Sequence, residues 1–316
     1  MSAAIPLIGG DEIRRVLAAG DAVEVIGAAL RGGLDPGADP GRVVVGTAHG
    51  QLLLMPASGA EHAGVKIVSV APGNAGLGLP RIQGHYLLFD AVTLSPVALL
   101  DGVALTTLRT PAVSVAAVLP WLTVRAGPLR VVVFGTGPQG LAHVETIDAV
   151  VGGGRTQSDV VFVSRRPEEA RVAGHRVVRA GGGEADDALA AADVVVCATT
   201  ARTPLFDSAL LGDRAVVIAV GSHEPDAREV DGALLGRAHV IVEDVDTALR
   251  EAGDVVLALA EGHLTADRLI PMRRAVTDPE LITSGRPVLF KSTGMAWEDL
   301  VVAAAVHERA GTTVTA

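Results

Sequence analysis

Leu129-Arg130-Val131-Val132-Val133-Phe134-Gly135-Thr136-Gly137-Pro138-Gln139-Gly140 is the stretch on which the fold turns. Its apolar run predicts a strand buried on both faces, and residues 138–151 read as a helix directly after it. A Gly-x-Gly-x-x-Gly turn between a buried strand and a helix has the context of a dinucleotide site. The first glycine permits the tight turn, the second lets a pyrophosphate approach the backbone, and the third lets the helix pack on the strand. The helix N-terminus then offers free N–H groups and partial positive charge to phosphate. The plain alternative is an ordinary Gly-rich strand-to-helix turn.

Toward the C-terminus the same pattern repeats. Asp159–Val163, Val194–Ala198, Ala215–Val220, His239–Val242 and Val288–Phe290 read as further buried strands with helix or loop between them. Such alternation predicts an α/β, Rossmann-type, doubly wound parallel sheet. Trp297–Ala310 reads as a helix with an apolar stripe. Toward the N-terminus the pattern differs. Residues 11–31 read as one amphipathic helix and 32–41 as a break. Arg42–Val45, Gln51–Met55, Val65–Val70, Gly84–Asp90 and Pro96–Leu100 read as short strands of a mostly antiparallel region. Residues 71–80 are rich enough in Gly and Pro to predict a loop, and 106–125 reads as a small-residue helix. Two domains are expected: a second, α+β domain over 1–115 and the Rossmann domain over 116–293.

Composition narrows the function. The 316 residues are 49% hydrophobic but only 3% aromatic, so the core must be aliphatic. A net charge of −10, with no Lys/Arg-rich run, argues against nucleic acid or an anionic membrane and for a small-molecule partner. No continuous apolar run of membrane-spanning length stands out, and Met1–Gly10 lacks the basic-then-apolar pattern of a secretion signal. The single cysteine, Cys197, excludes an intrachain disulfide and suits a reducing cytoplasm; its valine neighbours mark it as a buried strand residue. No His/Cys/Asp grouping has metal-ligand spacing in sequence, so no metal is expected.

The second Rossmann strand bears on which nicotinamide is used. NAD sites usually end that strand in Asp or Glu, which accepts from the ribose hydroxyl. Here it ends Val163-Ser164-Arg165-Arg166. Guanidinium forks match phosphate oxygens, so NADPH/NADP is expected over NADH. A solvated strand end is the alternative.

In the first domain, Lys66 is the only lysine before Lys291 and lies within Gly64-Val65-Lys66-Ile67-Val68. A lysine among β-branched strand residues is costly to bury unless something anionic meets it. Arg42 begins an earlier strand, and Arg109 lies near the start of the 106–125 helix. Together the three suggest a carboxylate pocket; taken singly, each reads as a surface or salt-bridged residue. Glu229 and Asp254 read as structural carboxylates, with a catalytic role as the alternative.

Several motifs occur in one order between Arg42 and His307: Asn74 with Gly78-Leu79-Pro80, Leu88-Phe89-Asp90, Asp101-Gly102, Leu105-Thr106 with Arg109-Thr110, the glycine turn, Ala219-Val220-Gly221-Ser222, and Phe290-Lys291-Ser292-Thr293-Gly294. In this the chain resembles the ornithine cyclodeaminase/μ-crystallin family. The resemblance implies a Rossmann domain plus a substrate-binding domain that also dimerises and is completed by residues 294–316. It implies that Arg42, Lys66 and Arg109 hold a substrate carboxylate. It places Arg81, Thr110, Gly135, Thr136, Gly137, Pro138, Gln139, Ser164, Arg165, Arg166, Thr199, Thr200, Val220 and Lys291 at or near the cofactor.

Two departures matter. Cyclodeaminases carry an aspartate shortly after the Gly-Ser/Gly-Gly pair, where this chain has His223, and an acidic residue beyond the first arginine, where it has Leu53. Losing both removes the partners of a diamine and argues against ornithine cyclisation. The expectation is NADPH-dependent reduction of an α-imino acid, such as Δ1-pyrroline-2-carboxylate or Δ1-piperideine-2-carboxylate, to the L-amino acid. Lys66 and His223 are the candidate catalytic groups, His223 because its ordinary pKa is near neutrality. The rivals are an alanine-type dehydrogenase, ornithine cyclodeaminase and a non-catalytic NADPH-binding protein. A cytoplasmic homodimer is expected.

Overall fold

The computed structural model describes residues 5–124, 128–151, 159–172, 174–282 and 285–313. The start of the N-terminal reading (1–4), the last residue of the expected 106–125 helix and the last three residues of the C-terminal segment lie outside these. The chain divides into two compact units. One comprises Met1–Ala29, Ala38–Thr110 and Met295–Ala316; the other comprises Leu30–Gly37 and Pro111–Gly294. The boundaries fall at 110 and 294, and a short piece near residue 33 joins the second unit, which sequence pattern did not suggest.

The first unit is built on a six-stranded sheet, β1 (Leu7–Ile8), β2 (Val43–Thr47), β3 (Gly50–Ser58), β4 (His62–Val70), β5 (Ile82–Asp90) and β6 (Pro96–Asp101), in the order β1-β6-β5-β4-β3-β2. Its pairs are antiparallel except β1 with β6. The expected single helix over 11–31 is two, α1 (Gly10–Val16) and α2 (Ala19–Arg31), because Leu17 takes an extended conformation (φ −132°, ψ 103°). The expected loop over 71–80 contains a short 3-10 helix, Pro72–Leu77.

Strand alternation sorts the sheet's side chains. Met55, Lys66, Tyr86 and Leu100 pair in one row and are buried. Helix α10 (Ala296–Thr313) packs on β3, β4 and β5. The opposite face carries Leu7, Val43, Val45, Leu52 and Ile67, which stay 36–64% exposed. Because both faces are apolar, period-2 patterning alone could not show which is covered.

Helix α3 (Gly102–Thr123) begins four residues before the expected start because the Asp101 carboxylate accepts the N–H groups of Val103 and Ala104, both at 2.9 Å. By length and composition alone it could cross a membrane, contrary to the reading from continuous apolar runs, yet 67% of its apolar window is buried inside the protein. It also carries the buried, ion-paired Arg109, as a core helix can.

The second unit holds an eight-stranded, wholly parallel sheet. Its strands are β7 (Arg130–Phe134), β8 (Asp159–Ser164), β9 (Arg176–Arg179), β10 (Val194–Cys197), β11 (Val216–Ala219), β12 (His239–Val242), β13 (Leu269–Pro271) and β14 (Val288–Lys291). The order β13-β12-β14-β11-β10-β7-β8-β9 is doubly wound about β7, with the switch point between β7 and β10. Helices α4 (Pro138–Val151), α5 (Gly183–Ala191), α6 (Gly232–Arg237), α7 (Val245–Glu251), α8 (Gly253–Ala260) and α9 (Met272–Thr277) connect the strands. Continuous apolar runs revealed the central strands. The edge strands β9 and β13 escaped because Arg176-Val177-Val178-Arg179 and Leu269-Ile270-Pro271 are too short and too mixed to stand out.

Candidate active site

In the first unit, called the sheet unit after its six-stranded sheet, burial brings two of the three expected cations together. Lys66 is 2% and Arg109 5% exposed. Each meets a carboxylate from the first turn of α10. Lys66 Nζ lies 2.7 Å from Asp299 Oδ2, Arg109 Nε lies 3.4 Å from Asp299 Oδ1, and Arg109 Nη1 pairs with Glu298. The other Glu298 oxygen accepts the Met295 N–H at 3.0 Å, and the Asp39 carboxylate accepts the Trp297 N–H at 2.5 Å. The pocket is therefore a compensated cluster rather than bare positive charge.

Burial nevertheless pulls the Lys66 pKa from its ordinary value down to about 8. Asp299 opposes that shift and the Arg109 charge adds to it. The Tyr86 hydroxyl is buried in the same row with no hydrogen-bond partner among the described residues. Its pKa is raised, by burial first and then by the charges of Asp299 and Asp39. The ring occupies the space over Gly64, where a Cβ would stand 2.2 Å from the hydroxyl.

Arg42 is half-buried and immediately precedes β2. Val43 pairs with Leu54, so the next position of the alternation sets Arg42 opposite Met55, the partner of Lys66. Arg42 thus shares the Lys66 row, two strands away. Leu53 pairs with Val44 and Val68, an apolar setting with no counterpart for a substrate's distal amine. Arg81 is exposed at the base of the Pro72–Leu77 loop, where its carbonyl accepts the Ala71 N–H at 2.9 Å, and Thr110 is buried on α3. Both belong to the sheet unit.

The Rossmann unit gathers the other expected residues at the carboxyl edge of its sheet. Gly135 follows β7 with φ +110°, and a Cβ there would stand 2.4 Å from the Ala198 carbonyl oxygen. A Cβ on Gly140 would stand 2.2 Å from the Gly135 oxygen, whereas a Cβ on Gly137 would meet nothing within 4 Å beyond its adjoining backbone. Tight turn, open approach and close helix packing are thus present as a pyrophosphate site requires, with Pro138 opening α4. Ser164 ends β8, Thr199 and Thr200 follow β10, Val220 follows β11, and Lys291 ends β14. The glycine turn and the backbone at these strand ends fit a bound dinucleotide.

Arg165 and Arg166 stand exposed beyond β8. Arg166 pairs with Glu169 at 3.2 Å, and Arg179 pairs with Glu168 at 3.2 Å while donating to the Arg165 carbonyl at 2.9 Å. These pairs are exposed, so they hold little energy against an incoming phosphate.

Buried carboxylates hold the strand ends in place. Glu229 accepts Thr199 N–H, Thr199 Oγ1–H and Gly221 N–H, each at 2.7 Å. Its pKa is raised, chiefly by burial. Asp254 accepts the N–H groups of Glu229 and Val230 at 2.7 and 2.9 Å and pairs with Lys291 at 2.9 Å. Glu243 accepts from Ser292 Oγ at 2.6 Å and from the Thr293 N–H at 2.9 Å. The structural reading of Glu229 and Asp254 agrees with these contacts.

Lys291 differs from these neighbours in where its side chain goes. Its fully buried ammonium donates to the Ser222 carbonyl at 2.6 Å and pairs with Asp254, so its side chain positions strand ends rather than facing a cofactor. His223 is exposed on the loop after β11. Sequence reading passed over Glu298 and Asp299, since acids in a helix's first turn are explained by the helix dipole.

His143 on α4 was also passed over. It is fully buried, its Nδ1 lies 2.7 Å from the Gln139 carbonyl oxygen and its Nε2 3.1 Å from Ser114 Oγ, and burial lowers its pKa to about 4. A neutral ring with Nδ1–H donating to the carbonyl and Nε2 accepting from the serine satisfies both contacts.

The model of the ornithine cyclodeaminase/mu-crystallin family matches residues 13–313. Δ1-pyrroline-2-carboxylate reductase of Bacillus cereus is 34% identical over 272 residues, covering 82% of this chain and 81% of that protein. The Δ1-pyrroline-2-carboxylate/Δ1-piperideine-2-carboxylate reductase of Azospirillum brasilense is 34% identical over 269 residues, covering 83% and 81%. Among solved structures, Δ1-pyrroline-2-carboxylate reductase of Thermococcus litoralis, in complex with NADH and L-proline, superposes with a TM-score of 0.82 over 98% of both chains. At 23% identity that likeness speaks to the fold.

Proposed function

The chain belongs to the ornithine cyclodeaminase/mu-crystallin family, and on that footing we propose that it is an imino acid reductase. It is an oxidoreductase acting on C–N bonds that reduces an α-imino acid to the L-amino acid. The substrate class is a cyclic ketimine such as Δ1-pyrroline-2-carboxylate or Δ1-piperideine-2-carboxylate, and the preferred cofactor is NADPH. The observation that carries this reading is the buried cluster that sets Lys66 and Arg109 together against Asp299 and Glu298, in a chain about one-third identical to curated pyrroline-2-carboxylate reductases over four-fifths of their length.

A nicotinamide dinucleotide, when bound, supplies the hydride that adds to the imine carbon. The glycine turn and the α4 N-terminus would hold its pyrophosphate, and Arg165 and Arg166 its adenosine phosphate. Lys66 and Arg109, with Arg42 in the same row, would hold the substrate carboxylate by charge-assisted bonds. Much of the rate gain would come from fixing the reacting partners. Reduction also requires a proton on the imine nitrogen. Lys66, whose pKa is near 8, and His223 are the groups proposed to manage it.

Leu53 and His223 stand where a cyclodeaminase needs carboxylates, which disfavours ornithine as substrate. We also propose that two copies associate through the exposed apolar face of the six-stranded sheet, in the cytoplasm. Five large aliphatic side chains left open on one face support this.

The test is an assay of NADPH oxidation with the two cyclic ketimines, with pyruvate plus ammonia, and of proline formation from ornithine without reductant. Fast turnover with ketimine alone is expected. Turnover confined to pyruvate plus ammonia, or proline released from ornithine, would replace the proposal with one of its rivals.

A further inference from the structure

The sheet unit holds a second group of ligand-type side chains, built from the β3–β4 turn and the exposed side of α10. One nitrogen of His62 and one carboxylate oxygen each of Glu61 and Glu308 lie within 4.8 Å of one another. The backbone on the turn side is fixed. The Gly59 N–H donates to the His62 carbonyl at 2.8 Å, the Ala91 N–H donates to the Glu61 carbonyl at 3.0 Å, and His62 pairs with Asp90 across β4 and β5. On the helix side, Val302, Ala303 and Val306 are buried, which anchors the turn that carries His307 and Glu308.

His307 faces His62 edge-on, with ring centroids 6.0 Å apart. Carboxylates on Glu61, Glu308 and the nearby Asp90 set a negative field.

We propose that Glu61, His62 and Glu308 form a surface site for one divalent transition-metal ion of the zinc class, with His307 or water completing the coordination. The donor set of imidazole and carboxylate suits zinc. Metal–ligand bonds of about 2.1 Å in a tetrahedron put donor atoms roughly 3.4 Å apart. From separations of up to 4.8 Å the side chains must close by up to about 1.4 Å, which two exposed glutamates can do by rotamer adjustment. A bound ion would staple the β3–β4 turn to α10, the helix whose first turn carries Glu298 and Asp299.

Full-length protein stripped with EDTA and dialysed is titrated with zinc chloride by calorimetry, alongside His62→Ala and Glu308→Gln. The zinc-free melting temperature of each variant reports that it is folded, and His62→Gln serves as a second imidazole-less variant. The expected result is one saturable equivalent per chain, weakened at least tenfold in each variant, with a zinc-dependent rise in melting temperature in the unsubstituted protein only. No saturable equivalent, or one that persists unchanged in the His62 and Glu308 variants, overturns the proposal.

Discussion

Lys66 Nζ sits 2.7 Å from Asp299 Oδ2, joining the centre of β4 to the first turn of α10 across 233 positions of sequence, both side chains fully enclosed. Removing one partner of a buried pair leaves the other charge uncompensated, at a cost of about 3–5 kcal/mol. Asp299→Asn is expected to lower stability by that order, and Lys66→Met with Asp299→Leu to recover most of it. Neither should restore reductase activity. Denaturant melts and kcat/KM measured side by side check this; near-normal turnover in the double variant would dismiss the pocket.

Because burial lowers the Lys66 pKa to about 8, the pocket loses a positive charge as pH rises through that value. The ratio kcat/KM reports the free enzyme, so it should fall on the alkaline side of pH 8. A bound carboxylate favours the charged amine, which should displace the alkaline limb of kcat to higher pH. Identical limbs for the two profiles would contradict carboxylate binding at Lys66.

Arg165 and Arg166 bear on the cofactor. Replacing both by alanine should raise KM for NADPH at least tenfold, about 1.4 kcal/mol, and leave KM for NADH nearly unchanged. Equal effects on both cofactors would mean that these arginines are only a solvated strand end.

His143 makes acid stability specific. Its ordinary pKa of 6.5 drops to about 4 in the folded chain, so between those values the unfolded chain binds more protons. Stability conferred by the neutral ring is therefore present above pH 6.5 and lost as pH falls toward 4. At about 1.4 kcal/mol per pH unit, the loss is about 3 kcal/mol. Urea midpoints at pH 7 and pH 4.5 should differ less in His143→Gln than in the unsubstituted protein.

Ile67 is 43% exposed on the open face of the six-stranded sheet. A charge there has no partner across an apolar interface, so Ile67→Asp should shift a dimer to monomer in light scattering at micromolar concentration. A monomeric unsubstituted protein would remove the interface itself.

Most of the Rossmann half could be read directly. Val131–Phe134, Val194–Cys197 and Val216–Ala219 are continuous apolar runs that only a doubly covered sheet accommodates, and the glycine turn follows the first of them. The cations Lys66 and Arg109 stood out because a charge in apolar surroundings demands an explanation. Their partners did not: Glu298 and Asp299 look like ordinary acids opening a helix, and Lys291 looks like one more candidate at a strand end.

What the residue order determined by itself was the pair of local periodicities, and with them a parallel α/β sheet beside an antiparallel one, the phosphate turn and the presence of charges that needed company. Tertiary structure alone decided who keeps that company. Coulomb attraction depends on distance in space, and only the packing of α10 onto β4 brings Asp299 to Lys66. Only the convergence of the α8 N-terminus and the loop after β11 on the end of β14 gives Asp254 and Ser222 to Lys291, turning its side chain into a positioning group.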